Sequence, residues 1–538
     1  MIVLGLHGGV TLGQHEPAAA LAVNGRIVAA CEEERYMRVK SCYGMLPHRA
    51  IKACLDIAVV KWEQIDLIVV PGITYDDIEA RWRDYLRHTF GSVPRFERVH
   101  HQQAHLAAAF YGSGQDEAIV LSLDATGDRA GGMLAHATKA GGIKVLETIP
   151  TENSIGFFYT LMTYYLGFED GDEYKVMGLA PYGKPSVDLS KIVRPTQDGW
   201  QFDWSYVRKD PPPRSPFEPL YSPKLVETLG RPHRLPGAPV EDWHRDVARS
   251  VQHATEESIL SLLAAARRRV PGVRNLCFAG GVALNCSANR RIVYSRDFDH
   301  VYVSPVASDR GLAVGCAYHG ATLLGDKPWP LLNAYLGSSY ADGAIRKELE
   351  ANGVKFREVP DPSEAAAELI AQGKVIGWHQ GRSEAGARSL GARSILASCA
   401  STEMRDRVNA RIKFREEFRP FAPSILQDKG GDWFDTANMA DFPYMTVTLD
   451  ARADKADRIA AVVHVDGTSR VQTVRSSDNP AYYAMIDAYS KRSGVPVVLN
   501  TSFNLKGQPI VETPRDALMT FFGCGLDALV VGSFVVEK

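Results

Sequence analysis

Apolar residues occur in short runs broken by Gly and Asn, a pattern of buried strands more than of long amphipathic helices. Ile2 to Leu6 is the first run and a Gly-rich turn follows it. Ala18 to Val23 and Ile27 to Cys31 then flank Asn24-Gly25. Asn-Gly between two apolar runs signals a type I′ hairpin, because both turn positions need positive φ. The same order returns later. Ala118 to Leu123 reads as a strand, Asp124-Ala125-Thr126-Gly127 as a polar turn, and Met133 to Ala137 and Ile143 to Ile149 as strands around Gly141-Gly142. Two copies of strand, Gly-containing turn and hairpin predict a duplicated α/β half.

Actin-like and sugar-kinase-like nucleotide folds use such duplicated halves to hold phosphates, so by fold analogy this is the expected architecture. Glu241 to Arg269 has a long helical pattern, ended by Pro271-Gly272. Its last turn, Arg267-Arg268-Arg269, places cations where the helix dipole favours them. Asn275 to Phe278 is a short strand running into Ala279-Gly280-Gly281. Residues 181–240 carry twelve prolines and predict an irregular excursion, neither regular helix nor central sheet. Beyond about residue 335 the character changes. Ala341 to Asn352 and Ser363 to Gln372 look helical, Lys374 to Trp378 looks like a strand, and a basic segment runs from Arg382 to Arg419. The expected division is 1–338 and 339–538.

Composition narrows the class. At 538 residues the chain exceeds a single core. Its 45% apolar and 23% charged residues are ordinary for a folded, soluble protein. Lys and Arg number 61 against 63 Asp and Glu, a net charge of −2, so no global positive field draws in nucleic acid. No run of apolar residues is long enough for a membrane span, and Met1 to Leu6 lacks the form of a signal segment. The eight Cys are scattered and never form C-x-x-C, which argues against zinc knuckles and a disulfide scaffold. A cytoplasmic location is expected.

Three constellations carry candidate chemistry. His101 and His105, spaced i, i+4 in a helix-prone segment, share one helix face as a divalent metal requires, though a hydrogen-bonded pair has the same spacing. Asp124 at a strand end and Asp309, which opens a helix and has an N-cap role open to it, add carboxylates. Two His with carboxylates suit iron or zinc better than Mg²⁺. Ala279-Gly280-Gly281-Val282-Ala283-Leu284-Asn285 follows a strand and opens a helix, where backbone without Cβ admits phosphate; a ligand-free tight turn would look alike. In the second domain Ile412-Lys413-Phe414-Arg415 alternates, which on a strand sends Lys413 and Arg415 to one face. With Arg388, Arg393, Arg419, Arg470 and Asn500-Thr501-Ser502-Phe503-Asn504 they make either a pocket for a small phosphate or a solvated basic face.

At these residues the sequence resembles the O-carbamoyltransferase family of antibiotic and nodulation-factor biosynthesis. The resemblance rests on Gln14-His15-Glu16-Pro17-Ala18-Ala19-Ala20, Glu32-Glu33-Glu34-Arg35, the His101 and His105 pair, Glu173-Tyr174-Lys175-Val176-Met177-Gly178, the 279–285 run, Lys413-Phe414-Arg415-Glu416-Glu417-Phe418-Arg419 and the 500–504 run. It implies an actin-like transfer domain fused to a C-terminal α/β domain that forms carbamoyl adenylate from carbamoyl phosphate and ATP. The carbamoyl group then passes to a hydroxyl of a small natural product or sugar-containing acceptor. By the same resemblance Arg388, Lys413, Arg415, Arg470, Asn500 and Ser502 hold carbamoyl phosphate, and Gly127, Lys175, Gly280, Gly281 and Asn285 hold ATP, for which Mg²⁺ is a candidate companion. His101, His105, Asp124 and Asp309 match ligands of iron or a similar divalent metal, and His15 is the candidate general base. The family's usual His-Asp-Ser-Ser-Ala is here His15-Glu16-Pro17-Ala18-Ala19, and its Asp-Gly is Asp124-Ala125. N-carbamoylation or threonylcarbamoyl-type transfer to tRNA, and an inactive nucleotide-binding scaffold, are the competing readings. A homo-oligomer is expected as a candidate state.

Overall fold

The computed structural model of the chain describes residues 1–9, 14–208 and 220–538. Pro211, Pro212, Pro213, Pro216 and Pro219 of the Pro-rich excursion lie outside the described residues. The chain forms two compact units, Met1–Val99 with Asp309–Lys538, and His100–Ser308. The second unit is one continuous stretch that interrupts the first. The expected boundary at 338/339 falls inside the first unit, between its two large sheets.

The first of those sheets holds β1 (Ile2–His7), β2 (Ala18–Val23), β3 (Arg26–Glu32), β4 (Leu67–Pro71) and β5 (Arg95–Val99), in the order β3-β2-β1-β4-β5. β1, β2 and β3 are antiparallel neighbours, while β4 and β5 run parallel to β1. Asn24 and Gly25 turn β2 into β3 with φ of 49° and 78°, the expected hairpin. β1 is apolar from Ile2 to Leu6 because both its faces are covered. Leu4 and Leu6 pack with Ile51, Leu55 and Trp82 from helices His48–Ala58 and Ile78–Phe90. The helix Leu312–Leu323 crosses the other face so closely that a Cβ on Gly5 would lie 1.9 Å from the Ala313 carbonyl oxygen.

The second unit repeats the plan. β6 (Glu117–Gly127), β7 (Ala130–Thr138), β8 (Gly142–Pro150), β11 (Asn275–Ala279) and β12 (His300–Val303) form a sheet ordered β12-β11-β6-β7-β8. Again a central strand has an antiparallel hairpin on one side and two parallel strands on the other. Identical order and direction in both sheets is the duplicated actin-like, sugar-kinase-like arrangement. One expected detail is corrected. The polar turn at 124–127 is the irregular end of β6, and the reversal lies at Asp128-Arg129, whose φ values are 52° and 60°. A left-handed Asp and Arg carry no Gly signal, so the sequence pointed to Gly127 instead.

The Pro-rich excursion contains more regular structure than expected, placed where proline is tolerated. β9 (Val193–Thr196) and β10 (Gly199–Phe202) form a two-stranded ribbon with Pro195 at an edge, and Pro223 opens the helix Pro223–Leu229. The helix Asp242–Arg269 ends as predicted, and its last cations pair with Asp297, Asp198 and Glu147.

The remainder of the first unit builds an eight-stranded mixed sheet. Its strands are β13 (Arg357–Glu358), β14 (Ile376–His379), β15 (Arg393–Ser398), β16 (Ala422–Leu426), β19 (Gln472–Val474), β20 (Val497–Ser502), β21 (Ala528–Val531) and β22 (Phe534–Glu537). Their order is β13-β22-β21-β14-β15-β20-β16-β19, with β17 (Thr448–Asp450) and β18 (Thr468–Arg470) as a separate ribbon. Helices Pro362–Ala371 and Pro480–Ser493 bury one face through Leu369, Ile370, Tyr482 and Met485. All eight cysteines are free thiols. Among the described residues no helix is long and apolar enough to cross a membrane.

Close packing at Gly5 makes a sharp test. Gly5→Ala should lower unfolding stability by about 1–3 kcal/mol, the cost of overpacking a core. Gly343→Ala, in the helix Asp342–Ala351 with nothing within 4 Å of its added Cβ, should be neutral or slightly stabilising. Urea midpoints of the two variants check the contrast.

Candidate active site

In the second unit, the helix His101–Ser113 starts directly after β5 and is anchored at its first turn. The Asp128 carboxylate accepts from the His101 amide at 2.7 Å, and His100 caps the helix by accepting from the Gln102 amide at 3.1 Å. The predicted i, i+4 spacing is realised. His101 Nε2 and His105 Nε2 lie 3.3 and 3.1 Å from the same oxygen, Asp124 Oδ2. The other oxygen, Oδ1, accepts from the Ala125 amide at 2.7 Å, which fixes the carboxylate's orientation. Ser154 Oγ donates to the Asp124 carbonyl at 2.7 Å. His105 is fully buried and His101 nearly so. Two imidazole nitrogens and a carboxylate oxygen within 4.8 Å of one another form a donor set that fits a borderline divalent ion.

Glycines make the room for this convergence. An added Cβ on Gly127 would lie 2.3 Å from His101 Cγ, one on Gly156 2.5 Å from the Asp124 carbonyl carbon, and one on Gly281 2.9 Å from Asp124 Oδ1. Gly280 has φ +87°, and a Cβ there would meet the Leu123 carbonyl oxygen at 2.1 Å. Gly280-Gly281 lead into a single 3₁₀ turn, and the α-helix Cys286–Ser295 begins only after Asn285, which accepts from the Ala288 amide at 3.0 Å. Asn285 is also paired both ways with Gln252. Lys175 is bonded to Asp172 at 2.7 Å and lies over the Phe168 ring. Cys286 and Met177, with sulfurs 3.7 Å apart, bring the Lys175 and Asn285 helices together. Ser154, Gly156 and Asp128 were absent from the sequence reading. Ser154 had a usable signal, a polar Thr151-Glu152-Asn153-Ser154 run ahead of an apolar helix, and it caps that helix at the Phe157 amide.

Asp309 belongs to the first unit, where its carboxylate lies 3.7 Å from His7 Nε2. The same His7 nitrogen is 3.0 Å from the His15 carbonyl oxygen. The His15 ring packs against Tyr43, with centroids 5.3 Å apart. Glu16, the residue that departs from the family pattern, adopts φ +56° and binds the Arg310 guanidinium.

The C-terminal sheet gathers the anion candidates. Lys413 is 5% exposed, and its ammonium donates to Ser502 O and Oγ at 2.5 and 3.3 Å and to Asn504 O and Oδ1 at 3.1 and 2.8 Å. Among the described residues no carboxylate pairs with it. Burial, with Arg415 and Arg419 nearby, pushes its pKa well below the usual lysine range. The expected strand at 412–415 is corrected here. Asn409–Lys413 is one π-helical turn, closed by the Phe414 amide donating to the Asn409 carbonyl at 2.7 Å, and Phe414 is left-handed at φ 47°. The turn buries Ile412 and Lys413 together and leaves Phe414 57% exposed, so the alternation of residue types did not mark two faces.

Asn500 on β20 joins the other candidates. Its Nδ2 lies 3.1 Å from the Ser389 carbonyl oxygen, one residue from Arg388, and 3.2 Å from Gln472 Oε1, two residues from Arg470. Asn500 Oδ1 is buried with no hydrogen-bond partner among the described residues. Arg415 stacks on Phe421 and donates to the Pro420 carbonyl. Arg393 is not part of this group, because its fully buried guanidinium is taken up by the carbonyls of Gln380, Gly381, Ser338 and Glu512.

Residues 87–318 match the family described as Carbamoyltransferase N-terminus, and residues 367–538 the one described as Carbamoyltransferase C-terminus. Nodulation protein NolNO of Sinorhizobium fredii is 36% identical over 100% of this chain and 83% of its own length. Nodulation protein NolO of Bradyrhizobium diazoefficiens is 39% identical over 82% of this chain and 79% of its own. Among solved structures, the activator of the 2-hydroxyisocaproyl-CoA dehydratase from Clostridium difficile is 14% identical with a TM-score of 0.36, over 60% of this chain and 96% of its own. With both family segments matched and two relatives aligned over most of their length, the chain belongs to the carbamoyltransferase family and is a carbamoyltransferase.

Proposed function

We propose that this carbamoyltransferase is ATP-dependent and O-directed. Carbamoyl phosphate, ATP and one water become carbamoyl adenylate, phosphate and pyrophosphate in the C-terminal part of the first unit. A hydroxyl of a small natural product or sugar-containing acceptor then attacks the carbamoyl carbon, its proton passes to His15, and AMP leaves. The observation that carries this reading is Lys413, a buried cation surrounded by neutral oxygens. An ammonium withdrawn from water without a carboxylate is stabilised by an anionic ligand, and a phosphate dianion beside Arg388, Arg415, Arg470 and Ser502 meets that need. Asn500 Oδ1 is an acceptor in want of a donor, which the carbamoyl NH₂ supplies. Gly127, Gly280 and Gly281, with Lys175 and Asn285, all in the second unit, are the residues assigned to ATP or the adenylate.

His101, His105 and Asp124 would hold iron or a similar divalent ion, with Asp309 the fourth ligand implied by the resemblance. When bound, such an ion supplies a Lewis-acidic positive charge. The residues' own part is to fix the donor geometry through the Asp124 turn and the Asp128-capped helix.

Lys413→Ala should raise the KM for carbamoyl phosphate on the order of ten- to a hundredfold, the equivalent of about 1.5–3 kcal/mol for a lost charged hydrogen bond. Because the Lys413 pKa is depressed, its charge is lost at a lower pH than that of an exposed lysine. Wild-type affinity for the dianion should therefore fall as pH rises through that depressed value, and the variant should lose this part of the pH dependence. An unchanged KM at neutral pH would remove Lys413 from the anion site.

His105→Ala leaves two of the three clustered donors, so bound metal measured by elemental analysis should drop to a small fraction of the wild-type content. Full stoichiometry in the variant would contradict the metal assignment.

His15→Asn should reduce carbamoylated product by on the order of 10² to 10⁴, the usual worth of a positioned acid–base group, while pyrophosphate release from ATP and carbamoyl phosphate continues. A parallel fall in both would assign His15 to nucleotide binding or to the fold.

A further inference from the structure

Between β14 and β15, adjacent antiparallel strands, the chain makes a loop from Gln380 to Ala392 that carries Arg388. It is tied from inside and outside. Inside, Glu384 Oε1 accepts from the amides of Leu390, Ala392 and Arg393 at 2.7, 3.4 and 3.3 Å. Outside, Glu32 at the end of β3 and Arg35 in the short helix Glu33–Met37 that follows hold both sides of Gly386. Glu32 Oε1 accepts from the Gly386 amide at 2.5 Å, and Arg35 Nη2 donates to the Gly386 carbonyl at 2.9 Å. Arg35 Nε and Glu32 Oε2 are themselves paired at 3.1 Å, and both side chains are buried. Gly386 has φ +105°, which excludes other L-residues from the clamped position. Arg388 thus lies between two fixed points, with Ser389 bonded to Asn500 beyond it.

Stability alone gives no reason for this arrangement. A buried ion pair is often matched or exceeded in stability by apolar residues of equal volume, whereas a pair aimed at one peptide group fixes position. We propose that Glu32 and Arg35 are positioning residues for carbamoyl phosphate binding, acting through the Gly386 peptide to hold Arg388 in its binding place. The proposal rests on the reading of Arg388 as a carbamoyl phosphate ligand. It assigns a role in the chemistry to Glu32 and Arg35 alone of the Glu32-Glu33-Glu34-Arg35 run, which lies far from Arg388 in sequence.

The test is the carbamoyl-phosphate-dependent release of pyrophosphate by the full chain. Glu32→Gln, close to isosteric, and Arg35→Lys should each raise the KM for carbamoyl phosphate at least tenfold, with kcat and the KM for ATP within about twofold of wild type. Glu32→Gln combined with Arg388→Ala should be no worse than Arg388→Ala alone, because a positioning residue has nothing left to position. Glu33→Gln is the control for a merely structural carboxylate. Glu33 accepts from the Arg49 and Ala50 amides at the start of helix His48–Ala58, so its loss should lower the unfolding midpoint and leave the KM unchanged. An unchanged KM in Glu32→Gln, additive losses in the double variant, or equal increases in both KM values overturns the proposal, and where Glu32→Gln does not fold the same criteria apply to Arg35→Lys. If Arg388→Ala itself leaves the KM for carbamoyl phosphate unchanged, it is the underlying reading that fails.

Discussion

Buried charge governs the first unit. Glu16, Glu32, Glu34, Arg35 and Arg310 are all withdrawn from water, a state that costs several kcal/mol per ion unless each is matched. Arg310 matches three of them, with Glu16, Glu32 and Glu34 all within ion-pair distance. Burial alone would weaken its protonation, yet the three carboxylates outweigh that and hold its pKa well above the ordinary value. For Arg35 the balance is the same, with Glu32, Glu384, Glu512 and Glu34 overriding burial. These charges come from distant parts of the sequence. Satisfying them requires the end of β3, the start of the Leu312–Leu323 helix and the Gly386 loop to take one arrangement.

Lys413 and Arg393 show how the same constraint separates function from structure. Both are buried cations of the C-terminal part of the first unit, Arg393 on β15 and Lys413 in the π turn, and neither is ion-paired with a carboxylate among the described residues. Arg393 spends its five donors on main-chain carbonyls and is finished as part of the fold. Lys413 donates to neutral oxygens of Ser502 and Asn504, and in the same run Asn500 Oδ1 has no hydrogen-bond partner among the described residues. The second unit solves a related problem with geometry. There the glycines remove Cβ atoms so that two imidazoles can meet one carboxylate.

Legibility followed the range of the signal. Asn24-Gly25 and the His101 and His105 spacing were readable because a turn and a helical face are local. The duplicated half was readable because the same short-range order occurs twice. The reversal at Asp128-Arg129 was missed because its left-handed residues are not glycine. The π turn at Asn409–Lys413 was missed because one residue's extra winding leaves no periodic trace, and four alternating residues imitate a strand. Arg393 and Arg388 were equal in the sequence, since only long-range carbonyls distinguish them. The clamp on Gly386 was invisible for the same reason, its partners being more than three hundred positions apart.

The interruption of one unit by the other has a consequence for how the chain matures on the ribosome. All the residues of the inserted unit are present once Ser308 has been made. The strands before it cannot finish, since Glu16, Glu32, Glu34 and Arg35 remain hydrated until Arg310 and Gly386 are made. The remainder of the chain, up to Lys538, takes on the order of ten seconds or more to synthesise at about 5–20 residues per second. Throughout that interval the amino-terminal sheet is an open, apolar template with unmatched charges. Charge on strands that still lack their neighbours is the general physical means by which a sheet edge resists premature association, and here the same side chains are the ones the finished fold later buries.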